Sequence, residues 1–185
     1  MKIGRGCKIS DKASFYENEG TITIGDNVRI DDFCLFSTGG NGSIYVGNHI
    51  HFAAYCGVWG GGGIIFADLS QFATKCTFLS KSDDWSGHSL IGPCVPDKYK
   101  PGLKSAQIYV GEHVVVGAGS VVLPGVTIGE GAAIGAMSLV KWNVLPWGIY
   151  AGIPAKLIKQ RSSEMKGLAK EFLVDHELML TVEGY

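Results

Sequence analysis

Two carboxylates, a hydroxyl and an imidazole fall within six residues at Asp83-Asp84-Trp85-Ser86-Gly87-His88. Side chains of these types move protons to and from a reacting group. A second imidazole, His51, sits between Ile50 and Phe52, so on a strand it points outward while its neighbours point in. A carboxylate beside an imidazole orients it and balances its charge. His51 with Asp83 or Asp84 as its partner is therefore one candidate base. His88 is the second, and proton loss assisted by the substrate alone is the third. Tyr55, Trp59, Trp85 and Tyr99 fall near these segments and offer flat faces on which a ring could stack. Pro93, Pro96 and Pro101 stiffen the same stretch, which suits a preformed pocket wall.

These groups need a frame, and the sequence supplies one with a six-residue beat. Apolar residues recur as triplets at Ile24, Ile30 and Phe36; at Val46, Phe52 and Val58; and at Phe66, Phe72 and Phe78. The beat returns at Val110, Val116 and Val122, and again at Ile128, Ile134 and Val140, with Ile3, Ile9 and Phe15 as an opening coil. Three steps of six make a turn of about eighteen residues with three faces, which is a solenoid. A second inward position lies two residues before many beats, for example Ile22, Cys34, Ile44, Ile50 and Cys76, and residues two apart share a strand face. Gly follows many beats, and its backbone freedom suits a corner. Six does not fit the helical period of 3.6.

The exceptions locate the loops. The step is ten between Phe36 and Val46, eight between Val58 and Phe66, and thirty-two between Phe78 and Val110. The last exceeds the regular step by 26 residues, which must leave the coil at one corner. The expected organisation is a repeat domain over residues 1–160 with a loop insertion at about 80–107, and a helical tail over 161–185. In the tail, Met165, Leu168, Ala169, Phe172, Leu173 and Leu178 keep helical spacing, with Ser162 or Ser163 as a cap. Such a helix could cover the open end of the solenoid, where unpaired strand edges invite aggregation.

With 185 residues and a formal net charge of −1, the chain is one domain plus a tail and lacks the basic surface of a nucleic-acid coat. No signal peptide is read at Met1-Lys2-Ile3-Gly4, and no apolar run reaches membrane-spanning length, so the expected location is cytoplasmic. The five cysteines read as small thiols in a reducing compartment, Cys34 and Cys76 on inward positions. No Cys or His spacing suits zinc, so no metal is expected. His49, His113 and His176 read as surface residues.

The Ile/Val-Gly beat, the run from Val116 to Gly129 and the closing Ala151-Gly152-Ile153-Pro154-Ala155-Lys156 resemble the hexapeptide-repeat acyltransferases. Within them the chain is most similar to sugar O-acetyltransferases related to the galactoside and maltose enzymes, over about residues 20 to 160. The resemblance implies an all-β solenoid, a left-handed parallel β-helix with an inserted loop and a C-terminal helix. It also implies a homotrimer with acetyl-CoA bound between neighbours, and a sugar hydroxyl as acceptor. It places Ala118 and Ala136 along the pantetheine arm, Lys141 and Trp142 on a Thr-Lys pair bordering the cofactor, and Lys156 and Lys159 at the CoA phosphates. Tyr55, Trp59 and Trp85 would meet the sugar.

The chain departs from that family at the base. The galactoside and maltose enzymes carry a His where this sequence has Asp83. His51, Asp84, Asp83 and His88 therefore stay open as catalytic candidates. N-acylation of an amino sugar is an alternative reaction. A metal site like that of the γ-carbonic anhydrases is another, though His49 and His51 stand only two apart and His88 lies in a loop. A structural or ice-binding β-helix would need a regular polar array, and no Thr-x-Thr ladder repeats.

Overall fold

The computed structural model describes residues 1–182; helix side chains beyond His176, including Leu178, lie outside the described residues. About seven coils stack into a left-handed parallel β-helix of triangular section. The first face runs from Lys2–Ile3 to Thr127–Ile128, the second from Lys8–Ile9 to Gly148–Ala151, and the third from Ser14–Tyr16 to Leu139–Val140. From Ile24 onward the predicted beats are the core: Ile24, Val46, Phe66, Val110 and Ile128 on the first face, and the matching residues of the other two, are all buried, whereas in the opening coil Ile9 and Phe15 are half-buried and Ile3 is exposed. Phe36, Phe52, Phe66, Phe72 and Phe78 interlock down the axis with centroids 4.7–5.2 Å apart, mostly edge to face.

The insertion leaves the register untouched. Phe66 pairs with Val46 on one side and with Val110 on the other, although forty-four residues separate Phe66 from Val110. Cys56 joins Cys34 and Cys76 on the buried inward positions, and Cys94 is exposed. Ser70, Ser120 and Ser138 also point inward, where carbonyls of the corner turns accept their hydroxyls. That polar variant of the second inward position breaks the apolar pattern in the sequence.

The corners work differently from the expectation. The left-handed backbone falls three residues after the beat; Gly119, Gly125 and Gly131 take it at some corners, but side-chain-bearing residues take it at most: Asn27, His49, Leu69, His113 and Trp147 at one edge, Phe33, Tyr55, Lys75 and Met137 at the next. The glycines that follow the beats answer to close approach instead. A Cβ on Gly111 would lie 2.7 Å from the Glu130 amide nitrogen of the next coil, and one on Gly129 would lie 2.5 Å from that of Pro146.

The C-terminal helix, Met165–Val182, does not cover the open end. It runs back along the edge between the first and second faces. Lys166 pairs with Glu130 at 2.8 Å near the last coil, and Phe172 and His176 stack on His49 several coils earlier. The second face ends instead on an antiparallel strand, Lys156–Gln160, which pairs with Gly148–Ala151. The surface reading of His113 and His49 is corrected with it: His113 is buried beneath Trp147, and His49 lies in the helix seam.

Gly111→Ala is expected to cost about 1–3 kcal/mol, because the atom it would strike is backbone fixed by register. Gly167→Ala, in open space on the helix, is expected to add about 0.5–1 kcal/mol. Denaturant midpoints of the two variants check the contrast, and equal effects would refute it.

Candidate functional site

The insertion leaves the third face after Thr77–Leu79 and rejoins the first at Ile108–Val110, so it grows from the edge between them. An antiparallel pair, Lys81–Ser82 with Lys104–Ser105, closes its neck. Beyond the neck the loop folds around Gly92. The Asp83 carboxylate accepts from the Gly92 N–H at 3.0 Å, and the Lys100 ammonium donates to the Gly92 carbonyl at 3.3 Å. Lys100 also pairs with Asp97 at 2.9 Å, and its side chain is only 6% exposed. The Lys100 hydrogen bond holds the Asp97 carboxyl below the usual carboxylate range.

Loop and coil together flank an open cavity of about 360 Å³. Trp59, Leu79, Pro93 and Leu103 form its apolar wall, and Lys81, Ser82, Asp83 and Lys100 are its polar groups. Of the four catalytic candidates, Asp83 is the one that lines it. Asp84 is spent on the loop itself: it accepts from the Ser86 hydroxyl at 2.8 Å and from the Ser86 and His88 N–H groups. The Ser86 hydroxyl, first among these, holds the Asp84 carboxyl below its ordinary value. Since that hydroxyl donates to Asp84, His88 Nδ1 carries the proton that bridges to Ser86 Oγ at 2.7 Å.

The pairing of His51 with Asp83 or Asp84 is not formed. His51 lies on the second face, which neither end of the insertion joins. Its Nε2 meets Asp31 from the preceding coil at 2.9 Å, and Arg29 holds the other Asp31 oxygen at 2.7 Å. Partial burial pushes the Asp31 carboxyl up, but the bonds from His51 and Arg29 outweigh it and keep it low. The carboxylate partner was hidden in the sequence because it stands twenty residues earlier and meets His51 only through coil register.

The aromatic candidates separate. Trp59 lines the cavity, Trp85 is almost fully exposed with its indole N–H on Ser82, and Tyr55 stacks on Phe33 at the edge between the second and third faces. The donor candidates fall on two edges. Ala118 and Ala136 occupy successive corners between the second and third faces, joined by the Met137 N–H to the Ala118 carbonyl. Lys156 continues that line, since it pairs with Ala151 in the closing strand, whereas Lys159 stands opposite Ile149, farther across the face. Lys141 and Trp142 follow Leu139–Val140, at the edge that also carries the insertion. The Lys141 ammonium sits 4.6 Å above the Trp142 ring. Among the described residues no cluster of His, Cys, Asp or Glu could hold a metal, and no helix is long and apolar enough to cross a membrane.

Comparison with known proteins extends over nearly the whole chain. The bacterial transferase hexapeptide (six repeats) family model matches residues 107–141. A dTDP-4-amino-4,6-dideoxy-D-glucose acyltransferase of Escherichia coli is 42% identical over 170 residues, 92% of this chain and 87% of the relative. WbbJ of Escherichia coli K12, a putative lipopolysaccharide biosynthesis O-acetyl transferase, is 27% identical over 88% of this chain and 83% of its own. The crystal structure of a mutant of AntD, an N-acyltransferase from Bacillus cereus, in complex with dTDP-4-amino-4,6-dideoxyglucose and coenzyme A, superposes with a TM-score of 0.88 at 41% identity. That match covers 94% of this chain and 90% of the AntD chain. Another AntD structure holds dTDP and 3-hydroxybutyryl-CoA.

The Asp84 turn gives a pH prediction. A carboxyl whose folded pKa is depressed contributes stability above its unfolded value, about 3.9 for Asp, and loses it as pH falls through the lower folded value. Hydrogen exchange at the Ser86 and His88 amides is therefore expected to stay protected from pH 7 to about 4. The added opening should come only below that. Extra opening between pH 6 and 5 would show that another group holds the turn.

Proposed function

The chain belongs to the hexapeptide-repeat acyltransferases and transfers an acyl group from a coenzyme A thioester to a sugar; from that premise we propose that its acceptor is the amine of an amino-sugar nucleotide. The observation that carries this reading is the match to an amino-sugar nucleotide acyltransferase over 92% of the chain. The hydroxyl acceptor expected from the sequence is the weaker reading, supported by the more distant WbbJ.

Asp83 fits an amine better than a hydroxyl. An alcohol attacks a thioester only as a strong base removes its proton, a role suited to imidazole. A neutral amine attacks unaided. Its C–N bond forms, the carbonyl becomes tetrahedral, and the nitrogen turns acidic as it gains positive charge. A carboxylate such as Asp83 then takes that proton while the C–S bond breaks, and the proton passes to the departing thiolate. The acyl chain is open on this reading, because AntD is found in complex with 3-hydroxybutyryl-CoA.

The two substrates come from different edges of one chain. The small-residue line of Ala118, Ala136 and Lys156 suits the pantetheine arm and the CoA phosphates. The cavity with Asp83 lies across the third face from it. A homotrimer that sets the first edge of one copy against the second edge of its neighbour brings donor and acceptor together. It also lets the neighbour's Lys141 and Trp142 border the cofactor, which reconciles the two donor groups.

Acylation of a dTDP-amino sugar is expected to yield an amide that survives hydroxylamine; an ester product would refute N-acylation. Asp83→Asn is expected to lower kcat about 10²–10⁴-fold with the KM for acyl-CoA unchanged, and His51→Ala to leave kcat near normal. Lys156→Ala should weaken acyl-CoA binding by roughly 1.5–3 kcal/mol, and Lys159→Ala by less. Unfolding together and refolding the Asp83→Asn and Lys156→Ala chains should restore part of the activity that each lacks, since some interfaces then hold two intact halves. Mixed oligomers with no recovered activity would refute the shared site.

A further inference from the structure

Lys100 is the most buried polar group in the cavity that the mechanism above does not use. It is an ammonium almost wholly out of water, and burying such a charge is costly unless partners take its N–H groups. Among the described residues two partners do: the Asp97 carboxylate and the Gly92 carbonyl. An ammonium has three donors, so one N–H is uncommitted. Asp83 has the converse state, with one oxygen on the Gly92 N–H and the other uncommitted. Both are tied to Gly92, Asp83 through its N–H and Lys100 through its carbonyl, and both line the cavity. Lys81 and Ser82 line the neck side of the cavity, and Leu79, Leu103 and the Trp59 ring supply an apolar wall.

Resting on the reading above, we propose that this cavity selects a 6-deoxy amino sugar through three groups at once. Asp83 takes the amine, Lys100 donates to the hydroxyl on the adjacent ring carbon, and the methyl group on the other side of the amine lies against Leu79 and Leu103. In a 4-amino-4,6-dideoxyhexose these three substituents are consecutive around the ring, which matches an acceptor and a donor held together beside an apolar wall. Lys100 is then the specificity-determining residue for the hydroxyl, and the two leucines for the absent 6-hydroxyl.

Steady-state rates test this with three acceptors, each as its dTDP derivative: the 4-amino-4,6-dideoxyhexose, its 3-deoxy analogue and its 6-hydroxy counterpart. The 3-deoxy analogue should lose about 10- to 100-fold in kcat/KM with the native enzyme, because a buried donor is left unpaired. The 6-hydroxy counterpart should lose about as much, because its hydroxyl meets only leucine. Lys100→Met should lose a similar factor on the parent acceptor and no longer distinguish it from the 3-deoxy analogue. A Lys100 that only props the loop would lower both acceptors by one common factor, and that result overturns the proposal. So does an equal loss of affinity for dTDP alone, which would put the base in the cavity in place of the sugar. If Lys100→Met fails to fold, the analogue series on the native enzyme decides, since native indifference to the 3-hydroxyl also overturns it. Turnover of amino sugars without these preferences removes only the cavity assignment, whereas no acylation of any amino-sugar nucleotide removes the function as well.

Discussion

A strand of two or three residues cannot satisfy its own backbone, so every coil of this molecule depends on its neighbours being in register. The N–H groups of a face meet carbonyls of an adjacent coil, as Gly47 does with Phe66 above it and Ser80 with Trp59 below it. That single demand explains the rest of the frame. Inward residues must stack on inward residues, which aligns Phe52 with Phe72 and Phe72 with Val116. Corners must approach one another closely, which leaves no room for a side chain at the glycines after the beat. A slip of one residue would turn every core side chain outward, so the period is held strictly wherever a strand exists.

The same demand decides where function can be placed. Extra residues can leave only at a corner, and only if the chain returns to the next coil in phase. The insertion meets both conditions: its neck is closed by a two-residue ladder, and Ile64 still pairs with Ile108. The coil beneath is rigid, and the loop above is drawn to it by a few polar contacts around Gly92. A cavity built this way has one wall fixed by the core and one wall fixed by Asp83, Lys100 and Asp97. Its shape is therefore sensitive to three charged side chains that contribute nothing to the solenoid.

This division also explains what the sequence made legible. The fold was readable because its cause repeats: Ile24 to Val140 restate one rule at a fixed period. Even so, the polar inward positions Ser70, Ser120 and Ser138 escaped, since their carbonyl partners lie in corner turns that periodicity does not describe. The closing strand Lys156–Gln160 escaped because it pairs once, antiparallel, with no repeat to announce it. At the site, Asp83 and Trp59 were legible as residue types beside a long gap in the beat. Lys100 was not, because nothing local marks a lysine whose burial arises only when the loop closes on Gly92. The partner of His51 was missed for a related reason. A strand residue meets the residue one coil away, so Asp31 outranks any carboxylate in the loop, however suggestive the loop's composition.

The exchange of His for Asp at the start of the insertion connects the frame to the chemistry. A hydroxyl acceptor demands a base that is strong near neutral pH, and imidazole supplies it. An amine that arrives as ammonium is attracted by a carboxylate and must first lose a proton to water; the neutral amine then attacks, and the carboxylate takes the proton that turns acidic once the bond has begun to form. The solenoid need not change for this exchange, since position 83 lies past the last in-register strand of its coil. A cation beside the carboxylate would ordinarily compete with an arriving ammonium. Here Asp97 holds Lys100 at 2.9 Å and Lys81 at 4.0 Å, so Lys100 meets the cavity chiefly as a donor. On the proposed reading, one position outside the register sets the acceptor class, and two loop residues adjust which member of that class fits.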